Sequence, residues 1–317
     1  MKSCLWQGLV AKSILITGAA GFIGGYTAVT FRQAGWRTIG IDRKPLGPSS
    51  HPANPIFEFF AECDITREED VIEVINDQRP EACIHVAGPA SVQASQEHPK
   101  DDYSAQTLPL ISVLEAIRKA DVTPRLLLVS SAAVYGNPEL LPISEQAPVN
   151  PISPYGFHKH HQERLLDEYH SLYSLPVCKA RVFSTYGPGL CHLAVWDITR
   201  RALLGDYSVK GTGLESRDYL YVTDLASALL CIVEKAAFED ETINVGSGEE
   251  TPIIALAEII HSYLGIDSKP QLQPADVAGN PGRWQADISR LSAMGFRKEI
   301  PLHEGINKTI EWIKAND

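Results

Sequence analysis

The sequence predicts an α/β fold, a doubly wound parallel sheet of the Rossmann type with a smaller C-terminal substrate-binding lid, and three observations predict it. Through residue 185, short apolar runs alternate with longer segments whose apolar residues recur every three or four positions. That is the pattern of strands buried on both faces by crossover helices. A glycine triplet stands at the first strand-to-helix junction, where such folds hold phosphates. Finally, 317 residues at 44% hydrophobic and 21% charged can bury a large core, in one big domain or two closely joined ones. Together these place ligands outside the carboxyl ends of the strands.

Each element follows in chain order. SILITG (13–18) is the first strand and FIGGYTAVTFRQAG (22–35) the first helix. TIGID (38–42), ACIHVAG (82–88), RLLLVSS (125–131) and CKARVFS (178–184) are further strands, each a short apolar run. EEDVIEVINDQ (68–78), TLPLISVLEAIRKA (107–120) and PYGFHKHHQERLLDEYHSLY (154–173) carry the helical spacing between them. Beyond about 185 the alternation loosens, with glycine- and proline-rich connections around 187–189 and 270–283. The expected division is a dinucleotide-binding domain over 1–185, to which 218–246 returns, and a mainly substrate-binding region over 186–317. Neither an internal repeat nor a low-complexity tract interrupts the chain.

Composition excludes several partners. A net charge of −11 would repel nucleic acid and anionic lipid, so neither is expected as a partner. The six cysteines, at 4, 63, 83, 178, 191 and 231, form no C-x-x-C pair, which argues against a zinc site or disulfide framework and suits a reducing cytoplasm. Cys83 and Cys178 fall in core strands and read as small buried hydrophobes. The opening MKSCLWQGLVAK has only a short apolar run leading into a strand, so no signal peptide or membrane span is expected.

TGAAGFIGG (17–25) spaces Gly18, Gly21 and Gly24 so that the backbone can turn tightly and approach a pyrophosphate at the helix start. The same spacing suits a plain strand–helix turn, and the flanking strand and helix favour the phosphate reading. Asp42 ends the second strand, eighteen residues beyond Gly24, where a carboxylate accepts ribose hydroxyls and repels a 2′-phosphate. NAD is therefore expected over NADP, although Arg43 and Lys44 pull the other way.

Tyr155 and Lys159 lie one turn apart on the helix over 154–173, where an ammonium near a phenol should lower the phenol's pKa. A serine at the strand end within LVSSAAVYG (128–136) could hydrogen-bond a substrate oxygen while a hydride moves to nicotinamide. Taken alone, the tyrosine–lysine spacing also occurs on ordinary amphipathic helices. His158 and His161 could share a face, but no third ligand accompanies them, so no metal is expected. His158, His160 and His161 read as a polar or dimer-facing helix surface.

Combined, these motifs resemble the extended short-chain dehydrogenase/reductases, within their NAD-dependent nucleotide-sugar epimerase/dehydratase group. The likeness runs through TGAAGFIG, CDIT (63–66), IHVAG (84–88), SSAAVYG, SPYGFHK, RVFSTYGPG (181–189), SRDYLYVTDLASAL (216–229), INVGSGE (243–249) and RWQADISRLSAMGF (283–296). It implies Ser131 as the hydroxyl partner, Tyr155 as acid–base and Lys159 as phenolate stabiliser and nicotinamide-ribose contact. It implies NAD held by Gly18, Gly21, Phe22, Ile23, Gly24 and Asp42, with Asp64 and Ile65 flanking adenine and Val86, Ala87 and Gly88 lining the cofactor. Arg217 and Arg283 would clamp the substrate diphosphate, with Ser184 and Ser131 also on the substrate. Thr223 and Asp224 are expected to cap a helix, and Tyr186 and Gly187 to turn the chain toward the lid. A homodimer through the helices at 107–120 and 154–173 is the group's usual assembly.

Departures narrow the reaction. Dehydratases of the group carry an Asp–Glu pair after the catalytic hydroxyl, and decarboxylases a nearby Glu; Ala132 and Ala133 stand there instead. Gln106 and Ser184 occupy positions where asparagine is frequent. The expectation is an NAD-dependent nucleotide-sugar epimerase acting at C4, with a 4-ketoreductase using NAD(P)H or a non-catalytic NAD-binding regulator as alternatives.

Overall fold

The computed structural model describes residues 12–46, 57–273 and 279–316. The N-terminal stretch read for a signal peptide and part of the 270–283 connection lie outside the described residues. A seven-stranded parallel sheet organises the rest. Its strands are β1 (Ser13–Thr17), β2 (Arg37–Asp42), β3 (Phe59–Glu62), β4 (Ala82–His85), β5 (Arg125–Ser131), β6 (Val177–Val182) and a last strand, Glu239–Val245. They run in the order last-β6-β5-β4-β1-β2-β3, so the direction of winding reverses between β4 and β1. Thr17 pairs with His85 across that seam, and ligand crevices of doubly wound sheets open there.

Alternation of side chains along each strand builds two cores. Ile14 and Ile16 face one side, against Phe31 of α1 (Phe22–Gln33) and Leu225 and Leu229 of the helix Val222–Lys235. Leu15 faces the other, with Ile75 of α2 (Glu68–Gln78) and, after the short α3 (Val92–Glu97), Leu114 of α4 (Pro99–Lys119) and Leu166 of α5 (Pro154–Tyr173). Each such side chain, taken fully out of water, contributes about 1.5–3 kcal/mol.

Several boundaries differ from the sequence expectation. The helix expected at 107 begins at Pro99, because its opening turns carry Lys100, Asp101, Asp102 and Gln106, which hide the apolar period. Proline at the first position and acids in the first turn are nonetheless good helix-start chemistry. β4 stops at His85 rather than Gly88, whose φ of +142° no strand tolerates. The run 178–184 divides, since Ser184–Tyr186 leaves the sheet to pair with Tyr219–Tyr221. β3, a half-buried strand of four residues at the sheet edge, has too short an apolar run to be read in advance.

The C-terminal half packs Tyr186, Val195, Leu256, Ile260, Ile306 and Ile310 into a separate cluster beneath Leu193–Leu203, Ile253–Leu264 and Leu302–Asn316. Asp224 does not cap a helix, contrary to the sequence expectation. It is buried and accepts the backbone N–H groups of Glu299 and Ile300 at 3.1 and 3.0 Å, tying the C-terminal segment to the sheet layer.

Candidate active site

At the β1–α1 junction, Gly18 has φ +69°, and a Cβ there would stand 2.9 Å from both N and Cα of Ala87. Only glycine lets the loop pass so close to the chain leaving β4. No side chain caps α1 at Gly21, and its first turn contains no acid, so its leading amides suit an anion. Phe22 and Ile23, partly buried, form that turn with Gly24. Asp42 ends β2 beside it, Oδ2 accepting from Ala20 N at 3.0 Å and Oδ1 from Lys44 N at 2.9 Å. Arg43 and Lys44 are exposed.

Farther along the sheet edge, Asp64 accepts from Thr66 N and Oγ1 at 3.0 and 2.9 Å, and these bonds hold its carboxyl below the usual range. Ile65 is buried next to it. Val86, Ala87 and Gly88 continue from β4 along the glycine loop. An uncapped helix start, a close-packed glycine turn and a carboxylate at the adjacent strand end fit an adenine dinucleotide.

The hydroxyl group of the site is assembled at the end of β5. Ser131 caps the short 3-10 turn Ala132–Tyr135, its Oγ accepting from Ala133 N at 3.1 Å. α5 begins with Ser153 as cap and Pro154 in the first turn. A Cβ on Gly156 would lie 2.6 Å from the Ala133 carbonyl oxygen, so this glycine lets α5 pack directly onto that turn. Tyr155 N also donates to Ser95 Oγ of α3 at 3.1 Å. The Tyr155 and Ser131 side chains are thereby brought into hydrogen-bond contact.

Burial pushes the Tyr155 phenol up to about 12; the Ser131 hydrogen bond opposes this and the Asp102 charge adds to it. This corrects the expectation that Lys159 lowers it. The buried ammonium instead donates to Val129 O at 3.2 Å and Gln162 Oε1 at 3.0 Å. Burial draws Lys159 down to about 8, against the charges of Asp102 and Glu163.

His158 also departs from the expected polar surface. It is buried, with Nδ1 2.5 Å from Asp102 Oδ2 and the edge of the Tyr103 ring against it. The early start of α4 is the reason, since it sets Asp102 opposite α5. His160 is half-buried and His161 exposed. Among the described residues no three His, Cys, Asp or Glu side chains cluster as a metal site.

Apart from Gln106, sequence reasoning passed over the buried polar groups behind Tyr155 and Lys159. Arg181 forks onto Glu163 at 2.9 and 2.7 Å, Ser130 Oγ donates to Glu163 Oε1 at 2.6 Å, and Gln162 and Gln106 are fully buried. The available signal was a set of polar residues at inward-facing helix positions.

Beside the strand Ser184–Tyr186 lies a cleft of about 110 Å³ lined by Ser184, His192, Trp196, Arg217 and Tyr219, among others. The hydroxyls of Thr185 and Tyr219, also in its wall, are buried with no hydrogen-bond partner among the described residues. The Arg217 guanidinium lies 5.3 Å from the Trp284 ring centre and donates to Ser216 O at 2.7 Å. Among the described residues no carboxylate forms an ion pair with it, and burial lowers its pKa.

Arg283, by contrast, is exposed and forks onto Glu250 at 2.7 and 2.8 Å. Asp218 pins the intervening backbone by accepting from Ser247, Gly248 and Ala286. Ala132 and Ala133 are buried among Phe183, Trp284 and Tyr155.

The family model for the NAD dependent epimerase/dehydratase family matches residues 14–246. A putative UDP-glucose 4-epimerase of Methanocaldococcus jannaschii is 33% identical over 314 residues, 96% of this chain and 99% of the relative. The UDP-glucose 4-epimerase of Thermotoga maritima, solved with UDP-glucose, superposes with TM-score 0.85 at 28% identity over 96% of this chain and 99% of its own. That of Thermus thermophilus, complexed with NAD, gives 0.84 at 28% over 95% and 99%. Sequence and architecture agree along nearly the whole length, and the chain belongs to the NAD dependent epimerase/dehydratase family.

Proposed function

We propose that this enzyme interconverts UDP-linked hexoses at C4, using Tyr155, Ser131 and Lys159 as its proton-handling groups. The observation that carries this reading is the contact between the Ser131 and Tyr155 side chains, with the Lys159 ammonium buried on the same helix. Bound NAD would supply the acceptor and donor of the C4 hydrogen. The remaining work falls to the chain: Tyr155 Oη takes the proton of the 4-hydroxyl and later returns it, while Ser131 Oγ hydrogen-bonds the same oxygen. Burial keeps the Tyr155 phenol neutral in this site, so Tyr155 can accept the proton only once reactant binding brings the Lys159 ammonium, one turn away on the same helix, to bear on it.

Arg217 suits the diphosphate, being a half-buried cation with no carboxylate partner among the described residues. The unpartnered Thr185 and Tyr219 hydroxyls suit the polar nucleoside, and UDP is the nucleotide named for the solved relatives. Arg283 joins only if it releases Glu250. The methyl groups at 132 and 133 supply no second acid or base, so elimination of water or carbon dioxide is not supported.

The test is incubation of UDP-glucose deuterated at C4 with the NAD-loaded enzyme. The expected product is the C4 epimer with deuterium retained and no net cofactor consumption, and Tyr155→Phe should bind NAD yet lose about 10²–10⁴-fold in rate. A product lighter by one water, or stoichiometric consumption of NADH by a 4-keto sugar, would overturn it.

A further inference from the structure

The Lys159 ammonium has three N–H donors, and its surround reaches beyond its own neighbours. One donor meets Val129 O of β5 at 3.2 Å; a second meets Gln162 Oε1 at 3.0 Å. Gln162 is wholly buried, three residues along α5, and its amide is used at both ends: Nε2 donates to Gln106 O of α4 at 2.5 Å. Gln106 is itself wholly buried, and its Nε2 donates to Pro89 O at 2.7 Å. Pro89 directly follows Val86–Gly88, the stretch that passes the glycine loop.

A chain of two glutamines therefore links the ammonium to the loop on the cofactor side of the sheet. Only one orientation of the Gln162 amide satisfies both of its ends, oxygen toward the ammonium and nitrogen toward the carbonyl.

We propose that Gln162 is a positioning residue, which with Val129 holds two of the three Lys159 donors and leaves one N–H aimed at the bound reactants. This rests on the catalytic reading of Lys159 given above. A buried glutamine thereby acquires a definite role, since a leucine or methionine would fill the same space but leave the ammonium with one protein acceptor. The charged or titratable groups facing Lys159 are Asp102 from α4, His85 from β4, and Tyr155 and Glu163 on its own helix. β5 adds only the Val129 carbonyl, and Glu163 is already forked by Arg181 of β6. A substitution at 162 changes none of these.

The experiment measures the titration of the Lys159 ε-carbon by NMR in the NAD-bound full-length chain, its signal identified by its loss in Lys159→Met, and the pH profile of kcat alongside. A hydrogen bond to a charged group is worth enough to move this titration by about one pH unit. Gln162→Met should shift the titration and the basic limb of kcat downward by about that amount. Gln162→Glu, which keeps an acceptor and adds charge, should shift both upward.

A merely space-filling glutamine would give no shifts of opposite sign, so titrations that stay at the wild-type value in the folded variants would overturn the proposal. Should Gln162→Met fail to fold, the Glu variant alone decides, an unmoved titration again overturning it. Activity surviving in Lys159→Met would instead defeat the catalytic reading, while the NMR titration still reports whether Gln162 holds the ammonium.

Discussion

Asp42 ends β2 with both carboxylate oxygens already accepting backbone amides, from Ala20 and Lys44. Those bonds fix the carboxylate at the rim of the glycine loop and leave lone pairs for ribose hydroxyls. A 2′-phosphate brought to the same place would meet a fixed negative charge. Asp42→Ala should therefore weaken NAD binding and bring the NAD and NADP dissociation constants closer together, by roughly tenfold, the scale of one charged hydrogen bond. Fluorescence titration of both cofactors checks this, and an unchanged ratio counts against the role. Neighbouring Arg43 and Lys44 are exposed, and once the carboxylate is gone they become available to the phosphate.

Where β1 and β4 meet, the sheet buries a polar pair rather than an apolar one. His85 Nδ1 lies 3.0 Å from Thr17 Oγ1, with the ring wholly inside, and burial, helped by the Lys159 charge, draws its pKa from 6.5 down to about 3. Below pH 6.5 the unfolded chain takes up a proton that the folded sheet refuses, so this stability is present above that pH and is lost as pH falls toward 3.

The wild-type chain should lose about 2 kcal/mol of this contribution between about pH 7 and 5, a slope approaching 1.4 kcal/mol per unit. His85→Gln, an uncharged replacement, should remove that part of the slope even if it is less stable throughout. Urea denaturation at several pH values distinguishes the two, and parallel slopes would show that the histidine is not the group responsible.

Across the whole molecule, one surface stands out. Tyr103 and Leu108 on α4, with Phe157, Leu172 and Tyr173 on α5, are between 41% and 67% exposed, although α4 and α5 pack against each other. Large side chains gathered on adjoining helices mark a surface for association. A homodimer formed through this helix pair is the expected assembly, and Phe157→Glu should give monomers in sedimentation velocity at concentrations where the unaltered chain is dimeric. A wild-type chain that sediments as a monomer would rule it out. The same helices carry Asp102, His158 and Gln162 on their inner sides, so one helix pair serves both the surface and the site.

Local signals were enough for the α/β class, for α2 and β5 to the residue, and for the nearness in sequence of Tyr155 to Lys159, because buried strands, amphipathic helices and glycine turns write their periods and spacings into neighbouring residues. What surrounds a charge depends on elements far apart in the chain. The turn after Ser131 meets Gly156, α4 sets Asp102 against His158, and Gln106 reaches Lys159 only through Gln162. These contacts decided that His158 is buried, that the Tyr155 phenol is raised rather than lowered, and that Arg283 is paired with Glu250 while Arg217 has no carboxylate partner among the described residues. Burial and hydrogen-bond partnership are properties of the packed chain, and desolvation, the largest influence on the Tyr155, Lys159 and Arg217 groups, has no counterpart in residue spacing.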